Sequence, residues 1–231
     1  MCRSGTHSVH KIRASGKVQR LYLAIDSTVG YALPMTVPSV SRRDRKKAAT
    51  RQAIADAALQ LFLERGYDQV SIRDIAEAAD VSTATVFKHF SGKEALVFDQ
   101  DEDRESQLIA AVRQRSSGQS ILDALRQHVL DTWPAIGAHP QAVEFTNLVN
   151  STPVLLAYAE RMWTRYTDSL AAAIADEFGV DHDNLACVAL ARFVLEIPVL
   201  ARGRQDRRAA VGALFDILTH GWEPPSKSPA P

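Results

Sequence analysis

A chain of 231 residues, 46% hydrophobic and 23% charged, has room for one or two packed domains and is neither collagen-like nor disordered throughout. Its formal net charge is zero but unevenly placed: residues 1–40 hold five Lys/Arg against one acid, residues 41–100 ten against nine, and residues 101–223 eleven against seventeen. Such a layout suits a protein that offers only one end to a polyanion. The two cysteines, Cys2 and Cys187, provide no disulfide framework and no metal-ligand spacing, which points to a reducing, cytoplasmic compartment with neither metal nor cofactor. The most apolar stretch, residues 185–201, is interrupted by Arg192 and Glu196 and falls short of the roughly 20 apolar residues of a membrane span. The apolar run near residue 22 stops at Asp26, too early for a signal peptide.

In chain order, residues 1–40 show no steady period and are expected to be a disordered or mis-assigned extension, with translation starting at Met35. Residues 42–51, "RRDRKKAATR", form a basic arm of six bases and one acid, in which Arg42, Arg43, Arg45, Lys46 and Lys47 are candidates for the minor groove or the phosphate backbone. The helical period begins at residue 44, with Ile54, Ala57, Ala58, Leu61 and Phe62 on one stripe and Gly66 as the stop. Ser71 followed by Asp74 is an N-cap close to a capping box, opening a short helix that buries Ile72, Ile75, Ala76 and Ala79. Ser82 caps "TATVFKHF", and Ser91 with Glu94 reads as a second capping box. A long helix, two short ones separated by a tight turn, and a further helix start have the layout of a helix-turn-helix.

Within that helix Val86 and Phe90, spaced i, i+4, are expected to face inward. Thr83, Thr85 and Lys88 can reach base edges, and Ser71, Ser82 and Ser91 stand at helix N-termini, where free N–H groups suit phosphate. His89 has no ligand-spaced partner for a metal, and Gly92-Lys93 lacks the rest of a nucleotide-binding loop.

Residues 51–96, "RQAIADAALQLFLERGYDQVSIRDIAEAADVSTATVFKHFSGKEAL", resemble the N-terminal domain of the TetR family of bacterial transcription regulators. The features that carry the resemblance are "FLERGYDQVS", "IRDIAEAADVS" and "T-V-F-x-H-F-x-x-K-E-x-L". The resemblance implies an all-α, DNA-binding homodimer, usually a repressor, whose helical C-terminal domain binds a small effector. It assigns a phosphate contact to Ser71, the DNA-facing side of the recognition helix to Thr83, Thr85, Phe87, Lys88 and His89, and a backbone contact to Lys93. Two residues depart from the family pattern: Phe87 stands where Tyr is common, and Asp80 stands where the turn commonly has Gly.

From residue 101 the chain stays helical, with helices expected over 93–115, 119–135, 138–150, 153–178, 183–203 and 206–221 and a kink at Pro198. The expected division is a DNA-binding head over 41–96, an effector-binding and dimerisation body over 97–222, and a disordered tail over 223–231. Aromatic and polar residues between 133 and 166 are candidates for an effector pocket: Trp133, Phe145, Asn147, Tyr158, Arg161, Met162, Trp163 and Tyr166. The last two helices carry Leu185, Val188, Phe193, Leu214, Phe215 and Leu218, candidates for a four-helix dimer interface across a two-fold axis. The expected function is a sequence-specific repressor on double-stranded, near-palindromic operator DNA, released by a small apolar or amphipathic effector, with no membrane involved. The alternatives are a DNA-binding activator, a regulator without a ligand, and a helical enzyme.

Overall fold

The computed structural model describes residues 41–132, 141–201 and 204–222. The readings made for residues 1–40, Trp133 and residues 223–231 lie outside them. Among the described residues there are ten α-helices and no strand: α1 (Arg42–Arg65), α2 (Ile72–Ala78), α3 (Thr83–His89), α4 (Lys93–Val97), α5 (Asp101–Arg113), α6 (Ile121–Thr132), α7 (Ala142–Ser151), α8 (Pro153–Phe178), α9 (Leu185–Ala201) and α10 (Arg207–His220). No helix among them is long and apolar enough to cross a membrane.

α1 begins earlier than its apolar period suggests. Ser41 caps it, its Oγ accepting from the Asp44 amide at 3.2 Å while donating to the Asp44 carboxylate at 2.8 Å. Arg42, Arg43, Arg45, Lys46 and Lys47 therefore project from the first two turns of a helix, all exposed, and do not form an extended arm. Further along, Ile54, Ala55, Ala58, Leu61 and Phe62 are buried, and the helix stops where Gly66 turns to a positive φ with its N–H on the Phe62 carbonyl.

Two apolar cores divide the molecule, and the boundary falls along α8. One core joins α1–α4 to Phe145, Leu148 and Val149 of α7 and to Leu155, Ala159, Met162, Trp163 and Tyr166 from the first half of α8. The other joins α5, α6, α9 and α10 to Leu170, Ala171 and Ile174 from the second half. Phe215 lies in that second core, 1% exposed, so the residue expected at a subunit interface is a packing residue of its own chain. α9 runs through Pro198, which cannot donate to the carbonyl one turn back.

The helix expected over 93–115 is broken. α4 ends at Val97, Phe98 takes a non-helical conformation (φ −114°, ψ 52°), and α5 starts at Asp101. Tertiary packing sets the break: the Phe98 ring is buried, stacked on Tyr158 at 5.1 Å and edge-on to Phe145 at 6.2 Å. Three acids, Asp101, Glu102 and Asp103, fill the first turn of α5, where the helix dipole favours them. The second capping box also fails to form. Gly92 is the N-cap, and no side chain caps α4.

Asp80 holds the turn between α2 and α3 at φ 51°, the only non-glycine residue with positive φ among those described. The left-handed region costs an L-residue about 1 kcal/mol. Asp80→Gly is therefore expected to stabilise the head by about 0.5–1 kcal/mol, read as a raised thermal midpoint. A lowered midpoint would show that the Asp80 side chain contributes more than its backbone costs.

Candidate nucleic-acid interface and effector groove

α3 is held from below and open above. Val86 and Phe90 are 1% and 3% exposed and anchor it on α1 and α2, as their spacing predicts. Ser82 caps it, accepting from the Thr85 amide at 3.1 Å and sharing a 2.8 Å bond with the Thr85 hydroxyl. Ser82, Thr83, Phe87 and Lys88 lie exposed, with Phe87 at 60%, a large apolar ring presented to solvent in the middle of the helix. Thr85 is half-buried, and its hydroxyl is engaged within the cap.

α2 opens with a complete capping box. The Ser71 hydroxyl accepts from the Asp74 amide at 3.2 Å and donates to the Asp74 carboxylate at 2.6 Å, and that carboxylate also takes the Ser71 N–H at 2.7 Å. The Ser71 side chain and backbone bonds hold the Asp74 carboxyl below its ordinary range. Ser71 is exposed at the helix start, where a phosphate oxygen can share its hydroxyl.

Two residues sit differently from their expected roles. Lys93 turns inward: its ammonium donates to the Tyr67 carbonyl and lies 4.0 Å over the Tyr67 ring and 5.5 Å from the Phe62 ring centre. It ties the start of α4 to the turn after α1, because a carbonyl and two aromatic faces together hold the cation in place of water. Its side chain is a strut of the head, not a projecting phosphate grip. His89 is half-buried, and its Nδ1 has no hydrogen-bond partner. Burial, then Arg51, Lys47 and Lys88, push its pKa below the usual value, so the ring is neutral at pH 7 and brings no charge to a phosphate.

Sequence reasoning missed the junction between head and body. Asp101, 6% exposed, receives Arg165 at 2.5 Å and the Tyr158 hydroxyl at 3.2 Å on its carboxylate, and the Tyr166 hydroxyl at 2.8 Å on its carbonyl. Arg165 also meets Glu105 at 2.6 Å, and Ser169 donates to the other Glu105 oxygen at 2.5 Å. Burial, then Asp101, pushes the Tyr158 hydroxyl up to about 12. On the opposite side, Arg51 donates to the His89 and Asp99 carbonyls. One signal was available for it: position 51 lies one turn before Ile54 on the buried stripe of α1, an odd place for a cation without partners.

Asp99 is 7% exposed, and burial pushes its carboxyl up to about 6 although Arg104 and Arg51 pull it down. A raised folded-state pKa means the folded protein holds a proton that the unfolded chain releases near pH 4. Its favourable contribution is full below that pH and is lost as pH rises to about 6. Asp99→Asn should therefore stabilise the protein at pH 8 by up to about 3 kcal/mol and flatten its stability profile between pH 4 and 6, measured by urea unfolding across pH. An unchanged profile would show that the arginines compensate fully.

A groove of about 570 Å³ lies between α8 and α9, lined by Ala159, Glu160, Trp163, Thr164, Thr167, Ala189, Arg192, Phe193, Leu195 and Glu196. Of the described residues expected to wall a pocket, Trp163 alone lines this one. Phe145, Met162 and Tyr166 are buried in the first core, Tyr158 packs beside them on Phe98, and Asn147 and Arg161 are exposed, with Arg161 5.8 Å from the Tyr158 ring. Among the expected interface residues, Leu185 is 81% exposed, and Val188, Phe193, Leu214 and Leu218 are half-buried at the edge of the second core.

Among the described residues a helix-turn-helix head sits on a helical body, and comparison with known proteins identifies this arrangement with DNA-binding transcriptional regulators. Residues 54–99 match the profile of bacterial regulatory proteins of the tetR family. The transcriptional regulator MftR of Mycobacterium tuberculosis is 26% identical over 198 residues, covering 81% of this chain and 98% of that protein. The HTH-type transcriptional regulator TcmR of Streptomyces glaucescens is 32% identical over 151 residues, 62% of this chain and 66% of its own. Among solved structures, NalD of Pseudomonas aeruginosa, described as the secondary repressor of a multidrug efflux pump, superposes with a TM-score of 0.52 at 20% identity, covering 76% of this chain and 97% of that one. The chain belongs to the TetR family of bacterial transcriptional regulators.

Proposed function

We propose that this regulator is a homodimeric repressor that reads a near-palindromic operator through α3 and is released by a small apolar or amphipathic effector bound in the helical body. The exposed face of α3 carries the reading: Thr83, Phe87 and Lys88 stand free of the core while Val86 and Phe90 fix the helix beneath them. In a duplex groove, Thr methyl and Lys ammonium suit base edges, Phe87 packs on sugar or a thymine methyl, and Ser71, Ser82 and the basic first turns of α1 follow phosphates. Lys93 serves this interface by fixing the start of α4, and His89 by closing α3. Thr85 reaches the DNA only if its hydroxyl leaves Ser82.

The second subunit pairs through α9 and α10, where Leu185, Leu200 and the small side chains of Ala186, Ala189, Ala209 and Ala213 are exposed. The groove beside Trp163 and Phe193 is the place proposed for the effector, whose preference for one arrangement of the body then shifts the equilibrium away from DNA binding. The test is a gel shift on the DNA upstream of the protein's own gene, with light scattering on the same sample. A dimer that retards this DNA over competitor supports the reading. A folded dimer that fails to shift it at low salt, or a monomer at micromolar concentration, overturns it.

A further inference from the structure

One side chain spans the distance between the recognition helix and the junction with the body. The Arg51 guanidinium donates through Nη1 to the carbonyl of His89, the last residue of α3, and through Nη2 to the carbonyl of Asp99 at 2.5 Å, within the break between α4 and α5. Its plane lies 4.3 Å over the Phe90 ring, so the fork is clamped on three sides. Two residues after Asp99, α8 takes hold of the same segment: Tyr166 donates to the Asp101 carbonyl, Arg165 and Tyr158 to its carboxylate, and Tyr158 stacks on Phe98. The body therefore grips the break from one side while Arg51 grips it from the other.

We propose that Arg51 is a positioning residue that carries displacement of α8, through the 98–101 break, to the C-terminal end of the recognition helix. The backbone leaves the helix at Phe98 (φ −114°, ψ 52°), and a turn bond from the Asp101 N–H to the Phe98 carbonyl at 3.1 Å joins α4 to α5 in place of a continuous helix, so a shift of α8 pulls on Asp101 and moves the Asp99 carbonyl. Arg51 holds that carbonyl and the His89 carbonyl on one planar group, so the end of α3 follows. A lysine cannot do this, because an ammonium on a single stem is a point donor and does not present two parallel N–H bonds to separated carbonyls. The importance of the relay rests on the regulator reading above. Its existence does not, because it can be measured without DNA or effector.

The experiment is amide hydrogen exchange on the full-length protein, comparing the wild type with Tyr166→Phe, Arg51→Lys, Arg51→Gln and the two doubles with Tyr166→Phe. The readout is the Phe90 amide, which bonds the Val86 carbonyl at the end of α3, together with the amides around Asp101. Tyr166→Phe removes only the hydroxyl on the Asp101 carbonyl and should speed exchange near Asp101 about tenfold and at Phe90 severalfold. In either Arg51 background the Asp101 response should persist while the Phe90 response disappears. Equal Phe90 responses in both backgrounds, no Phe90 response in the wild-type background, or full restoration by lysine each overturn the proposal. If Arg51→Gln does not fold, as judged by circular dichroism, the lysine pair decides alone. A failed gel shift leaves this result untouched, and a failed relay leaves the DNA-binding reading untouched.

Discussion

Phe98→Ala is expected to destabilise the protein by about 3–5 kcal/mol, the range for deleting a buried aromatic ring. Phe98 is 3% exposed and is held by two rings, stacked on Tyr158 and edge-on to Phe145, so the site cannot collapse without moving α7 or α8. The loss has a second part. Phe98 sets the non-helical turn that ends α4, and without the ring the segment 93–113 regains the option of a continuous helix. That option would carry Asp99 and Asp101 out of their partners' reach. Urea unfolding should show a lowered midpoint, and Phe178→Ala, at a position 67% exposed, should change stability by less than about 0.5 kcal/mol. A cost below about 1 kcal/mol for Phe98→Ala would contradict the packing described for the junction.

Phe87→Glu is expected to abolish specific DNA binding while leaving the fold intact. The ring is exposed and makes no core contact, so stability should move by no more than about 0.5 kcal/mol. On the duplex, the new carboxylate would lie among phosphates, and a like-charge juxtaposition costs several kcal/mol, or about 100-fold or more in affinity. Phe87→Tyr gives the complementary test. It restores the hydroxyl common at this position in the family and should tighten binding, because a phenol can donate to a phosphate oxygen. Fluorescence anisotropy on labelled upstream DNA reads both, and undiminished affinity in Phe87→Glu would remove α3 from the interface.

The head was legible because its signals are local. Ser71 with Asp74, Ser82 before Thr85, Gly66 after Arg65 and the apolar spacing of α1 each act within a few residues, and the structure shows all of them. Asp80 in the left-handed turn belongs with them. The junction was not legible. "ALVFDQDEDRES" contains no Gly or Pro, and its break comes from rings and hydroxyls supplied by α7 and α8, some 45–70 residues away in sequence. Lys93 illustrates the same limit: its type and position suit a phosphate contact, but the carbonyl and aromatic faces that claim it come from the end of α1 and the turn beyond. Phe215 and Leu185 show another. Helical periodicity identifies an apolar face without saying whether the same chain or a second one covers it, so one residue proved to be core and the other exposed.

In the proposed repressor, α3 of each of two subunits enters the DNA. Hydroxyl-radical footprinting of the dimer on the DNA upstream of its gene tests it most directly. Protection is expected in two patches related by a two-fold axis and separated by one helical turn or a multiple of it, about 34–36 Å each. Phe87→Glu should lose both patches at once. Absence of a footprint from folded dimer, a single unpaired patch, or a footprint unchanged in Phe87→Glu would contradict it.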